Sequence, residues 1–344
     1  MQDKTPISKL GEFKLIEHLT HDFPQKNAST IQGVGDDCAV IDSPEQTLVT
    51  TDMLLEGIHF NLEYCPLKYL GYKAAVVNFS DIYAMNGKPA QITVSIGVSS
   101  RFNVEDLEEL YQGLRWACEE HGVDLVGGDT VASLNGLVIS ITCIGSAPKN
   151  KIVYRSGAKP TDLICVSGNL GAAYMGLQLL QRELEVVHSV PNQSQFDQSQ
   201  FEGREYLLQR QLKAQARKDI VEQLAKADIL PTAMIDISDG LSSELFHICK
   251  QSKVGCTVYE GKLPIDEQTA RLAEEMNLNV VMCALNGGED YELLFTCNIN
   301  DYEKLLPLDD VYIIGHIDKE SEGLNLASHD DETIPLQAQG WKNV

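Results

Sequence analysis

The sequence predicts a mixed α/β protein of two domains. Its 344 residues exceed the roughly 100–200 of a single typical domain. Short, apolar, β-branched runs alternate with segments of helical spacing in both halves. A small, charged, proline-containing stretch, Ser146-Ala-Pro-Lys-Asn-Lys151, interrupts that alternation near the middle. The boundary is therefore expected near residue 148, giving halves 1–148 and 149–344.

In the first half, Phe13, Ile16 and Leu19 fall on one side of a helix over residues 11–19. Residues 38–41 and 47–51 are β-branched and strand-like. Residues 67–85 make a long helix, and 91–98 alternate as a strand. Asn103, with Asp106 three residues on, opens a helix to about His121. A short strand at 124–126 meets Gly127-Gly128, and another runs over 137–144. In the second half, a strand at 163–167 passes through Gly168-Asn-Leu-Gly171 into a helix reaching Glu183. Residues 188–203, rich in Gln, Ser and Asn, read as an exposed loop. A helix over 205–227, a strand at 234–237, a helix over 241–250 and strands near 254–259, 292–297 and 311–315 complete the chain.

Hydrophobic residues make up 43% and charged residues 22%, enough for a sizeable core and against wholesale disorder. The formal net charge is −23, from 50 acids against 27 bases. That balance excludes a basic track for nucleic acid and gives no attraction to an anionic membrane surface. No apolar run reaches the roughly 18–20 residues that span a bilayer. The N-terminus is polar, without the apolar core of a signal peptide. The nine cysteines are scattered and form no Cys-x-x-Cys pair, which reads as buried thiols of a cytoplasmic protein. The acid excess also sets a condition. A phosphate ligand would be repelled by the chain's own field unless bound cations or local backbone dipoles compensate.

Acidic residues recur beside Gly, Ser or Thr at element edges: Gly33-Val-Gly-Asp-Asp37, Thr50-Thr51-Asp52, Asn78-Phe-Ser-Asp81, Gly127-Gly128-Asp129-Thr130, Asp236-Ile-Ser-Asp239-Gly240 and Gly287-Gly288-Glu289-Asp290. Singly, each has a plain structural explanation. Asp81 is either a metal-bound carboxylate among apolar neighbours or a solvent-facing residue of an amphipathic helix. Asp37, Asp52 and Asp129 suit turns at strand ends, and Ser238 or Asp239 suits a helix N-cap. Collectively, hard oxygen ligands at element edges suit Mg²⁺, which takes carboxylates together with substrate phosphates and water. His/Cys clusters for zinc or copper are absent. Gly-x-x-x-x-Gly-Lys-[Ser/Thr], the His-Arg-Asp and Asp-Phe-Gly pair, and a Gly-x-Ser-x-Gly elbow are also absent.

Gly11-Glu-Phe, Gly33-Val-Gly-Asp-Asp37, Thr51-Asp52 with Glu56-Gly-Ile-His59-Phe60, Asn78-Phe-Ser-Asp81, Gly127-Gly-Asp-Thr130, Arg155-Ser-Gly-Ala158, Asp236-Ile-Ser-Asp-Gly-Leu241 and Gly287-Gly-Glu-Asp-Tyr-Glu-Leu293 resemble, in order and over nearly the whole chain, the motifs of thiamine-monophosphate kinases. The wider superfamily takes in aminoimidazole ribonucleotide synthetase, selenophosphate synthetase and the hydrogenase maturation factor. The resemblance implies a two-domain fold like that of aminoimidazole ribonucleotide synthetase, dimerising through the sheet of its N-terminal domain. It implies in-line phosphorylation of thiamine monophosphate by ATP, the last step of thiamine diphosphate biosynthesis, in a cytoplasmic homodimer using several Mg²⁺ ions. It assigns metal binding, and through metal the catalysis, to Asp37, Asp52, Asp81, Asp129, Asp236 and Asp239, with Thr50 and Thr51 as further ligands. It assigns ATP contacts to Tyr111, Gly128, Asp129, Arg155 and Ser238, and substrate contacts to His59, Glu289 and Trp341. The family's usual aromatic-Asp-His-Phe ending is replaced here by Trp341-Lys-Asn-Val, so the aromatic stands without its flank.

The chemistry fits these residue types. The acceptor is already a phosphate, so no base is needed to strip a hydroxyl proton, and positioning with charge neutralisation suffices. Arg155 suits a catalytic role, balancing charge on the transferring phosphoryl group, which guanidinium binds bidentately, or a surface turn. His59 and Glu289 suit substrate contacts or ordinary loop positions; Trp341 suits stacking on a heterocycle or anchoring the tail. A selenophosphate synthetase would want a reactive cysteine early in the chain, and none precedes Cys38. A non-enzymatic acidic scaffold would bind cations without consuming ATP.

Overall fold

Gly71 and Gly113 mark a close helix–helix contact. A Cβ on Gly71 would lie 2.0 Å from the Leu110 carbonyl oxygen, and one on Gly113 would lie 1.9 Å from that of Lys68. Two helices therefore touch backbone to backbone at these points, which only glycine permits. The computed structural model describes residues 5, 12–32, 34, 40–190, 195–328, 330 and 332–338. They fall into two compact units. Residues up to Tyr83 with Gly87–Asn150 form one, and Ala84–Asn86 with Lys151 onward form the other.

The first unit contains α1 (Glu12–Thr20), β1 (Thr30–Gln32), β2 (Val40–Ile41), β3 (Gln46–Leu55), α2 (Leu67–Ala84), β4 (Lys88–Val98), α3 (Val104–His121), β5 (Asp124–Ala132) and β6 (Leu137–Ala147). Its main sheet has the order β3-β6-β4-β5, with only β4 and β5 parallel. Ile92, Val94 and Ile96 of β4, with Leu137, Ile139, Ile141 and Cys143 of β6, are buried on alternate positions, and Leu107, Leu110 and Leu114 of α3 are buried at helical intervals of three and four. Burying such side chains stabilises the unit by about 1.5–3 kcal/mol each. Asp106 Oδ2 accepts from the Asn103 backbone N–H at 2.8 Å, holding the start of α3 where its sequence places it. In α1 the buried pair is Leu15 and Leu19, four residues apart, while Ile16 is only half-buried.

The second unit contains β7 (Leu163–Ser167), α4 (Ala172–Ser189), α5 (Glu205–Leu212), α6 (Lys218–Lys226), β8 (Ala233–Asp236), α7 (Leu241–Ser252), β9 (Val254–Tyr259), α8 (Glu267–Glu275), α9 (Val280–Asn286), β10 (Leu293–Cys297), α10 (Tyr302–Leu305), β11 (Val311–Lys319), β12 (Leu324–Ala327) and β13 (Thr333–Pro335). Its sheet runs β13-β12-β9-β11-β7-β10-β8. Ile164 and Val166 of β7 pack with Leu241, Leu245 and Ile248 of α7. Leu163 and Cys165, on the other face, pack with Ile220 and Leu224 of α6. Burial on both faces explains why β7 reads as one continuous apolar run.

Several elements differ from the sequence expectation. β5 does not stop at Gly127-Gly128 but continues through Asp129 and Thr130 to Ala132. β3, β6, α4 and β11 are longer than their apolar cores suggest, because ladder and helix hydrogen bonds carry the backbone past the last apolar residue. The helix expected over 205–227 is broken into α5 and α6. The break turns Arg210 and Arg217 onto a single buried carboxylate, Glu292. The polar stretch 188–203 is not wholly loop, since α4 runs to Ser189 and Phe201 packs against the cluster of α4, α5 and α8.

Candidate active site

Two of the predicted acidic residues of the first unit, Asp52 and Asp81, meet where α2 packs against β3. From Leu70 to Ala84 every residue of α2 is buried except Asp81, so the helix is not amphipathic and Asp81 does not sit on a solvent face. Thr50 Oγ1 donates to Asp81 Oδ2 at 2.5 Å. Alternation along β3 puts Leu48, Thr50, Asp52 and Leu54 on the inward face. Burial, and then the Asp81 carboxylate, push the Asp52 carboxyl up to about 6. Two carboxylates held together in a partly desolvated place favour a proton or a cation between them. Nearby in sequence, Asn78 Nδ2 donates to the Ala74 carbonyl at 3.0 Å, and its buried Oδ1 has no hydrogen-bond partner among the described residues. Thr51 lies on the opposite face of β3, its hydroxyl donating to the Ile141 carbonyl at 3.0 Å. Any part it takes with Thr50 and Asp52 therefore rests on its main chain.

The sheet does not bring Asp129 to this group. Asp52 pairs with Ile141, Ile141 with Val94, and Val94 with Gly128, so Asp52 and Gly128 occupy one row at opposite edge strands. Three strand spacings separate them, about 14 Å along the sheet. Asp129 is exposed, and its Oδ1 accepts from the Thr130 N–H at 2.9 Å. Gly128 admits no side chain, since a Cβ would lie 1.9 Å from the Val94 carbonyl oxygen. His59 is exposed in the loop after β3, where the Leu55 N–H donates to Nδ1 at 3.0 Å. The neutral ring therefore carries its proton outward on Nε2. Tyr111 is buried on α3 with its ring edge-on to Phe23, and burial pushes its phenol up to about 12. Asp37 and Trp341 lie outside the described residues.

In the second unit, two predicted motifs are stitched together. Buried Asp236 ends β8 and pairs with Leu293 of β10. Beyond it, the Glu289 N–H donates to the Ser238 carbonyl at 2.7 Å, and the Tyr291 N–H to that of Ile237 at 2.8 Å. A Cβ on Gly288 would lie 2.6 Å from the Ser238 oxygen, so glycine is required for the approach. Glu289 and Tyr291 hold φ of +67° and +52°. Such left-handed conformations cost about 1–2 kcal/mol each in side-chain-bearing residues, a strain that clusters at functional loops. The loop is held from below. Arg210 Nη2 donates to the Asp290 carbonyl at 2.7 Å, and Gln211 Nε2 to Glu289 Oε2 at 2.9 Å. Asp290 accepts from the Gly171 and Ala173 N–H groups at the start of α4.

Neither Ser238 nor Asp239 is the N-cap of α7. That position belongs to Gly240, which makes no side-chain cap. Both residues are instead held by Glu244, discussed below. Arg155 is exposed and makes no ion pair with any described residue. Its turn is fixed by Ser252 Oγ, which accepts from the Gly157 and Ala158 N–H groups, and by the Met234 N–H donating to the Tyr154 carbonyl at 3.0 Å. Arg155 thus follows a residue laddered to β8, the strand that ends in Asp236. Among the described residues, no three acidic, imidazole or thiol groups already converge on one point. A cation at Thr50, Asp52 and Asp81 would complete its shell from substrate oxygens and water, which suits Mg²⁺.

Sequence reasoning missed Glu244, Arg210, Gln211, Arg217 and Glu292. Two of them carried a signal: Glu244 is an acid in the first turn of a helix that follows an acidic loop, and Glu292 lies within the motif over 287–293.

Comparison with known proteins places this chain among relatives. The family model "AIR synthase related protein, N-terminal domain" matches residues 35–147. The thiamine-monophosphate kinase of Bacillus subtilis is 32% identical over 346 residues, covering 97% of this chain and 99% of the relative. That of Aquifex aeolicus is 33% identical over 339 residues, covering 98% and 99%. A solved structure, AaThiL complexed with AMPPCP and TMP, superposes with a TM-score of 0.75 at 32% identity and covers 98% of both chains.

Proposed function

Because this chain belongs to the thiamine-monophosphate kinase family, we propose that it transfers the γ-phosphoryl group of ATP to thiamine monophosphate, giving thiamine diphosphate and ADP. An oxygen of the acceptor phosphate attacks the γ-phosphorus in line. A new P–O–P bond forms, and the bond from γ-phosphorus to the bridging oxygen of ADP breaks. No side chain needs to remove a proton, so the protein's task is to hold two anions in line and offset their charge.

The observation that carries this reading is the pairing of Asp52 with Asp81 beside Thr50. Burial, and then repulsion from the Asp81 carboxylate, raise the Asp52 carboxyl to about 6, and a divalent cation bound there would relieve both. Bound there, Mg²⁺ would neutralise phosphate charge in a chain whose net charge is −23. Several ions are proposed, held by Asp37, Thr50, Thr51, Asp52, Asp81 and Asp129 from residues 1–148, and by Asp236 and Asp239 from residues 149–344. Gly128, Asp129, Arg155 and Ser238 contact ATP, with Tyr111 beside them. Arg155 has its guanidinium uncommitted to any described carboxylate, and Gly128 presents bare backbone. His59 offers an outward Nε2–H to the substrate, joined by Glu289 and Trp341.

We also propose a homodimer formed through the sheet of the first unit. Val49, Met53 and Leu55 alternate on the outward face of edge strand β3, with Val49 66% and Met53 56% exposed. Two uncovered apolar residues of that size on an edge strand favour a partner. The placement of Asp52 and Asp129 on opposite edges supports the same reading, since a second copy could set one beside the other. Sedimentation velocity at micromolar concentration should give twice the 38.0 kDa chain mass, and a monomer would contradict the proposal. Free, buried cysteines and a nucleotide substrate fit a cytoplasmic location. No described helix is long and apolar enough to cross a membrane.

The activity is tested by following ADP formation with ATP and Mg²⁺ present. Thiamine monophosphate should support turnover and free thiamine should not. Equal turnover with free thiamine would replace the phosphate acceptor by a hydroxyl.

A further inference from the structure

Glu244 lies in the first turn of α7 and is 2% exposed. A buried carboxylate is costly unless its oxygens are well used. One of them is. Oε1 accepts from the Ser238 N–H at 3.1 Å, the Asp239 N–H at 2.9 Å and the Ser238 hydroxyl at 3.3 Å. These donors precede the helix and are not those of its own first turn, so the contact is not ordinary capping. The turn needs outside support. Gly240 holds φ +115° and makes no side-chain cap, and a Cβ there would lie 2.8 Å from the Asn286 carbonyl carbon. The other oxygen, Oε2, is buried with no hydrogen-bond partner among the described residues.

Taking the nucleotide and metal roles proposed above for Ser238 and Asp239 as its premise, we propose that Glu244 is the positioning residue of that loop. Its carboxylate fixes the backbone of Ser238 and Asp239 and the direction of the Ser238 hydroxyl, so that both residues meet Mg·ATP already oriented. Glu289 is held independently of Glu244, by Gln211 Nε2 donating to its Oε2 at 2.9 Å and by Arg210 Nη2 donating to the Asp290 carbonyl at 2.7 Å. The specific consequence lies in saturation by Mg·ATP, with little change in saturation by thiamine monophosphate.

Glu244→Met keeps the volume and removes the acceptor. Glu244→Gln keeps an acceptor oxygen at the same reach. In the full chain, E244M should raise the half-saturating concentration of Mg·ATP roughly 10–100-fold, the usual scale for residues that orient metal ligands. The KM for thiamine monophosphate should stay within about 2-fold, and E244Q should remain within about 3-fold of the unsubstituted protein for both substrates. If E244M is recovered unfolded, Glu244→Asn takes its place with the same expectation, being polar but one methylene too short. Unchanged Mg·ATP saturation in E244M overturns the proposal. So does an equal loss for both substrates that follows a fall in Tm, or an E244Q as impaired as E244M. Absence of turnover in the unsubstituted protein overturns the kinase reading instead. In that case a thermal shift with Mg·AMPPCP still reports on Glu244, with binding weakened in E244M expected and equal binding overturning its role.

Discussion

Asp52→Asn is expected to lower kcat/KM for thiamine monophosphate by ~10²–10³-fold while raising the Tm of the cation-free protein. The two effects share one cause. In the folded chain the Asp52 carboxyl is raised from 3.8 to about 6 by burial and by the Asp81 carboxylate. A raised carboxyl contributes stability that is fully present below the unfolded value. That contribution is lost as pH rises through the folded value. At pH 7 without a cation, the ionised group therefore disfavours folding by up to about 3 kcal/mol, which asparagine does not. The gain should appear as a Tm rise of several degrees in chelator at pH 7 and should shrink at pH 5. Adding Mg²⁺ should raise the Tm of the unsubstituted protein more than that of D52N. Full activity in D52N, or a lower Tm at pH 7, would contradict this account. Stability given up at the Asp52–Asp81 pair is what makes the place receptive to a cation.

The second large effect is expected at Glu292, a buried residue to which no substrate or metal contact is assigned. Its side chain is 1% exposed and lies between Arg210 at 2.7 Å and Arg217 at 2.5 Å, with the Ser167 hydroxyl donating to Oε2. Arg217 also reaches Asp219 and Asp310. Removing the central charge leaves two buried guanidinium groups facing each other. Breaking buried pairs in this way costs about 3–5 kcal/mol. Glu292→Gln should therefore shift the urea midpoint strongly downward with little change in the slope. Glu267→Gln, which breaks the exposed Arg271 pair within α8, should leave the midpoint unmoved. Equal behaviour of the two variants would remove the buried network from the account. Because Arg210 also holds the Asp290 carbonyl, E292Q protein that does fold should bind substrate less well.

Much of the fold was legible because period reports burial. Alternation marked β4 and β6, continuous apolar runs marked β7 and β10, and Asn103 with Asp106 marked the start of α3. Within the candidate site, Asp52 and Asp81 were singled out as carboxylates beside Ser or Thr. Asp52, however, lies within β3 instead of at a strand-end turn and Asp81 within α2, and their convergence is a long-range contact the motifs do not reveal. Contacts between distant residues were not legible. Nothing local in Lys213-Ala-Gln-Ala-Arg217 says that Arg217 must reach Glu292, 75 residues on, and so the break between α5 and α6 was hidden. Nor does Gly127-Gly128-Asp129 reveal whether it turns or extends. The deciding fact is the Val94 carbonyl opposite Gly128. Thr50 and Thr51 look equivalent in sequence, yet strand alternation sends their side chains to opposite faces. β12, β13 and α9 were missed because elements this short carry too few residues to establish a period. α8, as long as α1, was missed because it is mostly polar and charged, with only Leu272 and Ala273 as buried apolar residues.

The central claim is that the acceptor is the phosphate of thiamine monophosphate. ATP labelled in its γ-phosphoryl group tests it directly, with purified protein, Mg²⁺ and thiamine monophosphate, and the products separated by chromatography. The account predicts that the label appears in the terminal phosphorus of thiamine diphosphate, one equivalent for each ADP formed. Label recovered only as inorganic phosphate, with thiamine monophosphate unchanged, would contradict it.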